Sequence, residues 1–163
     1  MGIRSVLAKP FAAYIASQTR KWSLEPYRYQ REIYTSLIRS AEATRFGKDH
    51  DFASIRNYAD FKERVPVRDY EDFTTYIDDV LKGKPDILWV GKPAYLAKTS
   101  GTTSGTKYIP ITSESVPNHI NSARNALLSY VHETGRASFL DGGLIFLSGS
   151  PELEEKSGIK TGR

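Results

Sequence analysis

Tyr95-Leu96-Ala97-Lys98-Thr99-Ser100-Gly101-Thr102-Thr103-Ser104-Gly105-Thr106-Lys107-Tyr108-Ile109-Pro110-Ile111 is the stretch on which the reading of this chain turns. Its centre, Thr99 to Lys107, holds six hydroxyl side chains, two glycines and one lysine, with no apolar or acidic residue. Its flanks, Tyr95–Lys98 and Tyr108–Ile111, are short β-like runs. Glycine lets the backbone approach a ligand closely and take positive φ. Successive backbone N–H groups in such a turn form an anion-binding nest, and lysine adds a compact charge on a flexible stem. A turn of this make-up can wrap N–H groups, hydroxyls and one ammonium around a polyphosphate. The same composition also makes flexible coil, so a solvated linker is the alternative.

The common P-loop is excluded. It needs four residues between two glycines, followed by Lys and Ser or Thr. Here Gly101 and Gly105 have three between them, Thr106 intervenes, and Tyr108 follows Lys107. G-x-G-x-x-G does not occur, so a dinucleotide fold has no direct support.

Ser100-Gly101-Thr102-Thr103-Ser104-Gly105-Thr106-Lys107-Tyr108-Ile109-Pro110 resembles the phosphate loop of adenylate-forming enzymes, the superfamily of acyl-CoA synthetases and luciferases. Within it, the Lys-x-Ile-Pro ending resembles the auxin-responsive Gretchen Hagen family of acyl-acid amido synthetases. Arg45-Phe46-Gly47-Lys48, Phe61-Lys62-Glu63-Arg64-Val65-Pro66-Val67 and Gly149-Ser150-Pro151 are similar to that family as well. The resemblance implies ATP as substrate and Mg²⁺ as its companion, with the metal ligands expected beyond this chain. It implies a small carboxylic acid and an amino acid or other acceptor as the remaining partners. Ser100, Gly101, Thr102, Thr103, Ser104 and Gly105 would hold the β- and γ-phosphates, and Lys107 would offset charge on the departing pyrophosphate. An acyl-CoA-type ligase and a non-catalytic nucleotide-binding module are the alternatives.

Length and composition bound the class of protein. The 163 residues fit one ordinary domain, and 39% hydrophobic with 26% charged residues reads as globular. A net charge of +4 mildly favours anionic ligands. Up to Arg31 only Glu25 is acidic, and basic residues interleave with Trp22, Tyr27 and Tyr29. That pattern reads as a helix face packing by its aromatics and solvating by its arginines. No nucleic-acid motif accompanies it, although a basic nucleic-acid-binding domain is the further alternative. No cysteine is present, which excludes disulfides and fits a reducing cytoplasm. His50, His119 and His132 lack the spacing of a metal site. No apolar run approaches a membrane span.

Periodicity predicts helices near Ser5–Gln18 and from Pro26, the latter with the stripe Ile33, Leu37, Ile38 and Ala41 and a stop at Gly47. It predicts another at Tyr58–Arg64, ended by Val65-Pro66. A further helix is capped by Asp69, buries Phe73, Ile77, Val80 and Leu81, and stops at Gly83. Ile87–Val90 reads as a strand. A long helix from about Ser113 to Glu133 carries Val116, Ile120, Ala123, Leu127, Tyr130 and Val131 on one side. Gly143–Ser148 reads as a buried strand, and Ser148, Gly149 and Ser150 as a possible lining of the site. The fold class is therefore α/β, with N-terminal helices followed by strand, phosphate loop, strand, helix, strand. The helical part runs to about residue 84, the β/α part spans about 85–150, and a polar tail covers 151–163. The resemblance implies that all of it is the N-terminal portion of a larger adenylate-forming domain, inactive alone. The unfinished sheet predicts self-association or association with the missing C-terminal part.

Overall fold

The computed structural model describes residues 2–99, 105–143, 145 and 153–162. The chain divides into two compact units, one drawn from residues 1–30 and 114–147, the other from 31–113 and 148–163.

The first unit is a helix pair. α1 (Ile3–Ser23) runs past both expected ends and carries Pro10 within it. Its entry is fixed by Asp141, whose carboxylate accepts from the N–H groups of Gly2 at 2.7 Å and Ser5 at 3.1 Å. Those donors, with the Ser5 hydroxyl foremost, hold the Asp141 carboxyl below the usual carboxylate range. α6 (Val116–Thr134) has Pro117 in its first turn, where a missing N–H costs nothing. Gly135 ends it at φ 66, as a left-handed cap should. Ala8, Ala12 and Ile15 of α1 pack on Leu128 and Val131 of α6. The apolar stripe expected on α6 is only partly buried, since Ile120 is 63% exposed and Tyr130 45%. The aromatics expected to pack near the basic N-terminus are also open, with Trp22 50% and Tyr27 85% exposed.

The second unit is a mixed sheet with helices. α2 (Pro26–Ala41) starts at its proline and buries Ile38 and Ala41, while Ile33 and Leu37 stay exposed. Gly47 does not end that helix. It lies inside α3 (Arg45–Asp49), which begins after a Thr44 cap that accepts from the Gly47 N–H at 3.0 Å. The Thr44 hydroxyl donates to the Ala41 carbonyl at 2.6 Å, so one buried threonine joins the two helices. α4 (Tyr58–Arg64) matches its expected span, opened by an Asn57–Asp60 capping box. Asp69 accepts from the Asp72 N–H and opens a 3-10 turn, Glu71–Phe73, that leads into α5 (Thr74–Leu81).

Ile87–Val90 is not a strand. Asp86 takes φ +56 and Gly91 φ +74, and the loop closes on itself by Asp86 N–H to the Gly91 carbonyl at 3.0 Å. The Ile87 carbonyl accepts from the Phe46 N–H and its side chain enters the core with Tyr76, Val80, Leu96 and Ile159, while Val90 is 50% exposed, so the run is a loop that buries one residue rather than a ladder. The sheet consists of β1 (Tyr95–Thr99), β2 (Lys107–Ile111), β3 (Glu154–Lys156) and β4 (Ile159–Gly162), in the order β2-β1-β4-β3. β1 pairs antiparallel with β2 and parallel with β4. The segment expected as a polar tail is thus a hairpin that completes the sheet. Glu154, Glu155 and Lys160 are exposed and Lys156 is half-buried, while Ile159 and Thr161 are buried. Leu96 and Ile159 pack on Tyr76 and Val80 of α5. The strand expected at Gly143–Ser148 lies, apart from Gly143 and Ile145, outside the described residues, and neither of those two is in a strand.

Candidate functional site

The hydroxyl-rich stretch closes the β1–β2 hairpin. Its last register pair is Thr99 with Lys107, followed inward by Lys98 with Tyr108. Among the described strands β2 lies at one edge of the sheet, which is where a proline such as Pro110 is tolerated. Gly105 has φ +85, and the space around its missing Cβ is open. That is the backbone freedom expected of a glycine in this turn. Ser100, Gly101, Thr102, Thr103 and Ser104 lie outside the described residues, as do Ser148, Gly149 and Ser150.

Lys107 is held on two sides. Its Nζ stands 3.1 Å from a Glu71 carboxylate oxygen and 4.9 Å above the Tyr70 ring. Tyr70 is itself anchored on β2, its hydroxyl accepting from the Tyr108 N–H at 2.8 Å and facing the Tyr108 carbonyl at 3.4 Å. Edge strands present unpaired N–H and C=O groups. Here one tyrosine hydroxyl meets both edge groups of Tyr108 and brings the residue after it, Glu71, to the lysine. Neither Tyr70 nor Glu71 was visible as a site residue in the sequence. Asp69 signals a helix start, but nothing local says that the turn it caps reaches the hairpin.

Two more lysines surround the same hairpin. Lys98 Nζ lies 2.6 Å from Glu154, whose carboxyl is held below its ordinary range chiefly by that hydrogen bond. Lys156 donates to the Tyr108 hydroxyl at 2.6 Å and sits 4.5 Å over its ring. Lys98 with Glu154, and Lys156 with the Tyr108 hydroxyl, lie on the sheet face that Lys98 shares with Tyr108, whereas Lys107 alternates with Tyr108 and has its own carboxylate in Glu71. Among the described residues no group of three or more His, Asp or Glu could hold a metal ion. Among those residues, also, no helix is long and apolar enough to cross a membrane.

The Arg45-Phe46-Gly47-Lys48 motif serves the fold instead. The Arg45 guanidinium lies 2.5 Å from Asp79 and 4.8 Å over the Tyr76 ring, and Tyr76 donates to Asp49 at 2.8 Å. Burial, with Asp49 close by, pushes the Tyr76 hydroxyl pKa up.

The mixed sheet with its helices has a counterpart among solved structures. The solved structure of AtGH3.15 acyl acid amido synthetase in complex with 2,4-DB matches with a TM-score of 0.78, over 92% of this chain and 26% of that one, at 21% identity. Sequence gives the family: the GH3 family N-terminal domain model matches residues 16–163, and the chain belongs to the GH3 family. Among its relatives are indole-3-acetic acid-amido synthetase GH3.15 of Arabidopsis thaliana, 41% identical over 78 residues, and probable indole-3-acetic acid-amido synthetase GH3.13 of Oryza sativa subsp. japonica, 47% identical over 58. The first alignment covers 46% of this chain and 13% of the relative, the second 34% and 12%.

Proposed function

We propose that this chain is the phosphate-binding part of an ATP-dependent enzyme that joins a carboxylic acid to an amino acid amine through an acyl-adenylate. The observation that supports it most is Lys107, placed across from Thr99 at the hairpin mouth in a GH3 N-terminal domain. In the first step a substrate carboxylate oxygen attacks the α-phosphate of ATP, the bond to the β-phosphate breaks, and pyrophosphate leaves. In the second, the amine attacks the acyl carbon, AMP departs and the amine loses a proton.

The chain's contribution to the first step is positioning and charge stabilisation. Backbone N–H groups around Gly101 and Gly105 hold the β- and γ-phosphates, and the hydroxyls of Ser100, Thr102, Thr103 and Ser104 add hydrogen bonds. Lys107 offsets charge on the leaving pyrophosphate. The apolar side chains left exposed on α1 and α6 belong to the same reading. They are covered when this segment is part of a polypeptide of the family's usual length.

Carboxylate-dependent ATP–pyrophosphate exchange tests the proposal, run on this chain and on the longest natural polypeptide that contains it. Exchange in the longer polypeptide alone is the expected result. Exchange in neither, across a broad panel of acids, assigns the chain to a nucleotide-binding module without this chemistry. If adenylate forms and a thiol but no amine accepts the acyl group, the enzyme is an acyl-CoA-type ligase.

A further inference from the structure

We propose that Glu71 is the resident counter-anion of Lys107, a carboxylate that incoming phosphate displaces, so that Glu71 sets how tightly Lys107 holds pyrophosphate or a nucleotide. The inference rests on the phosphate-binding reading of Lys107 and adds a residue which that reading does not contain.

The geometry distinguishes this pair from a chance surface contact. Tyr70 is fixed to β2 by its hydroxyl, and the turn that follows is fixed by the Asp69 cap on Asp72. The backbone carrying Glu71 is thus held at two points, and its carboxylate is presented 3.1 Å from Lys107 Nζ. The Tyr70 ring limits where the ammonium can stand. Lys107 is 29% exposed and Glu71 54% exposed, so both ends of the pair can be reached by a solute. A carboxylate and a phosphate at one ammonium repel each other. The phosphate therefore binds by releasing Glu71 or binds weakly beside it. Exposed ion pairs contribute at most about 1 kcal/mol, which caps the competition at roughly fivefold in affinity.

The test is calorimetric titration of inorganic pyrophosphate into the full-length protein and its E71Q, K107A and E71Q/K107A variants. Glutamine keeps the size of residue 71 at an exposed position, and unchanged thermal melts confirm folding. E71Q is expected to bind pyrophosphate about two- to fivefold more tightly than the wild type, and the gain is expected to vanish when Lys107 is alanine. An E71Q affinity equal to or below that of the wild type overturns the inference. So does a gain of the same size in the K107A background, which would mean that Glu71 acts through the general field. Binding to none of the four proteins overturns it as well. Tighter pyrophosphate binding by E71Q without any ATP–pyrophosphate exchange would keep the role of Glu71 and remove adenylation.

Discussion

Lys107 stands in a half-buried position between a carboxylate and an aromatic ring, and both contacts preset where its charge lies. If that charge meets the pyrophosphate as it leaves, the interaction gains strength in the transition state and acts on rate more than on substrate affinity. A hydrogen bond to a charged group is worth about 1.5–3 kcal/mol. Lys107→Ala should then slow adenylation by roughly ten- to a hundredfold in the intact enzyme, read as the initial rate of exchange at saturating ATP. An unchanged rate would take Lys107 out of the mechanism. The residue itself could be singled out from sequence, because a lysine ending a run of hydroxyls and glycines has an uncommon composition on its side. Its partners could not. Tyr70 and Glu71 sit more than thirty positions earlier, separated from Lys107 by a helix, a closed loop and a strand.

α4 has the capping box and Val65-Pro66 stop that local chemistry announces, and α2 its opening proline, whereas the Asp69 carboxylate caps a 3-10 turn and α5 begins only at Thr74, without a side-chain cap. Ile87–Val90 failed because an apolar run records burial without saying what does the burying. Gly47 failed as a stop because its glycine answers a different need, close helix contact. A Cβ there would overlap the Ala41 carbonyl oxygen and come within 2.9 Å of the Glu42 carbonyl oxygen. Both are backbone atoms that cannot swing aside. Gly47→Ala should therefore cost about 1–3 kcal/mol, the usual range for overpacking, measured by chemical denaturation. A stability equal to wild type would mean that the α2–α3 corner relaxes freely. The same corner carries a charge network with a signed pH response. Lys84, then Arg45 and Lys82, hold the Asp79 carboxyl below its usual range. A lowered folded-state pKa contributes stability that is complete above the unfolded value of about 3.9 and is lost as pH falls through the folded one. Asp79→Asn should therefore be less stable than wild type at neutral pH and lose stability less steeply in acid. Parallel stability curves for the two proteins between neutral pH and acid would refute the assignment.

At the scale of the whole molecule, the sheet depends on pairing that no local pattern announces. β4 lies between β1 and β3, and its parallel partner β1 is more than fifty residues away in sequence. The exposed charges of Glu154, Glu155 and Lys160 make the segment look like a tail, while Ile159 and Thr161 of β4 are buried. The first unit shows the opposite imbalance. α1 leaves Ile3, Leu7 and Tyr14 at 80%, 64% and 57% exposure, and α6 leaves Ile120 at 63%. Single exposed apolar residues are ordinary, but several spaced at helical period make a stripe that usually marks an interface. The chain spans 26% of the matched amido synthetase structure, so a polypeptide of that length has ample chain to cover such a stripe. Taken alone, this segment should self-associate through it, because burying apolar surface gains about 25 cal/mol per Å². Light scattering over a concentration series should show the apparent mass rising, and Leu7→Lys with Ile120→Lys should suppress the rise without lowering the thermal midpoint, since both side chains are solvent-facing. A mass that stays monomeric at every concentration, with no binding of an apolar dye, would show that the stripe is only surface.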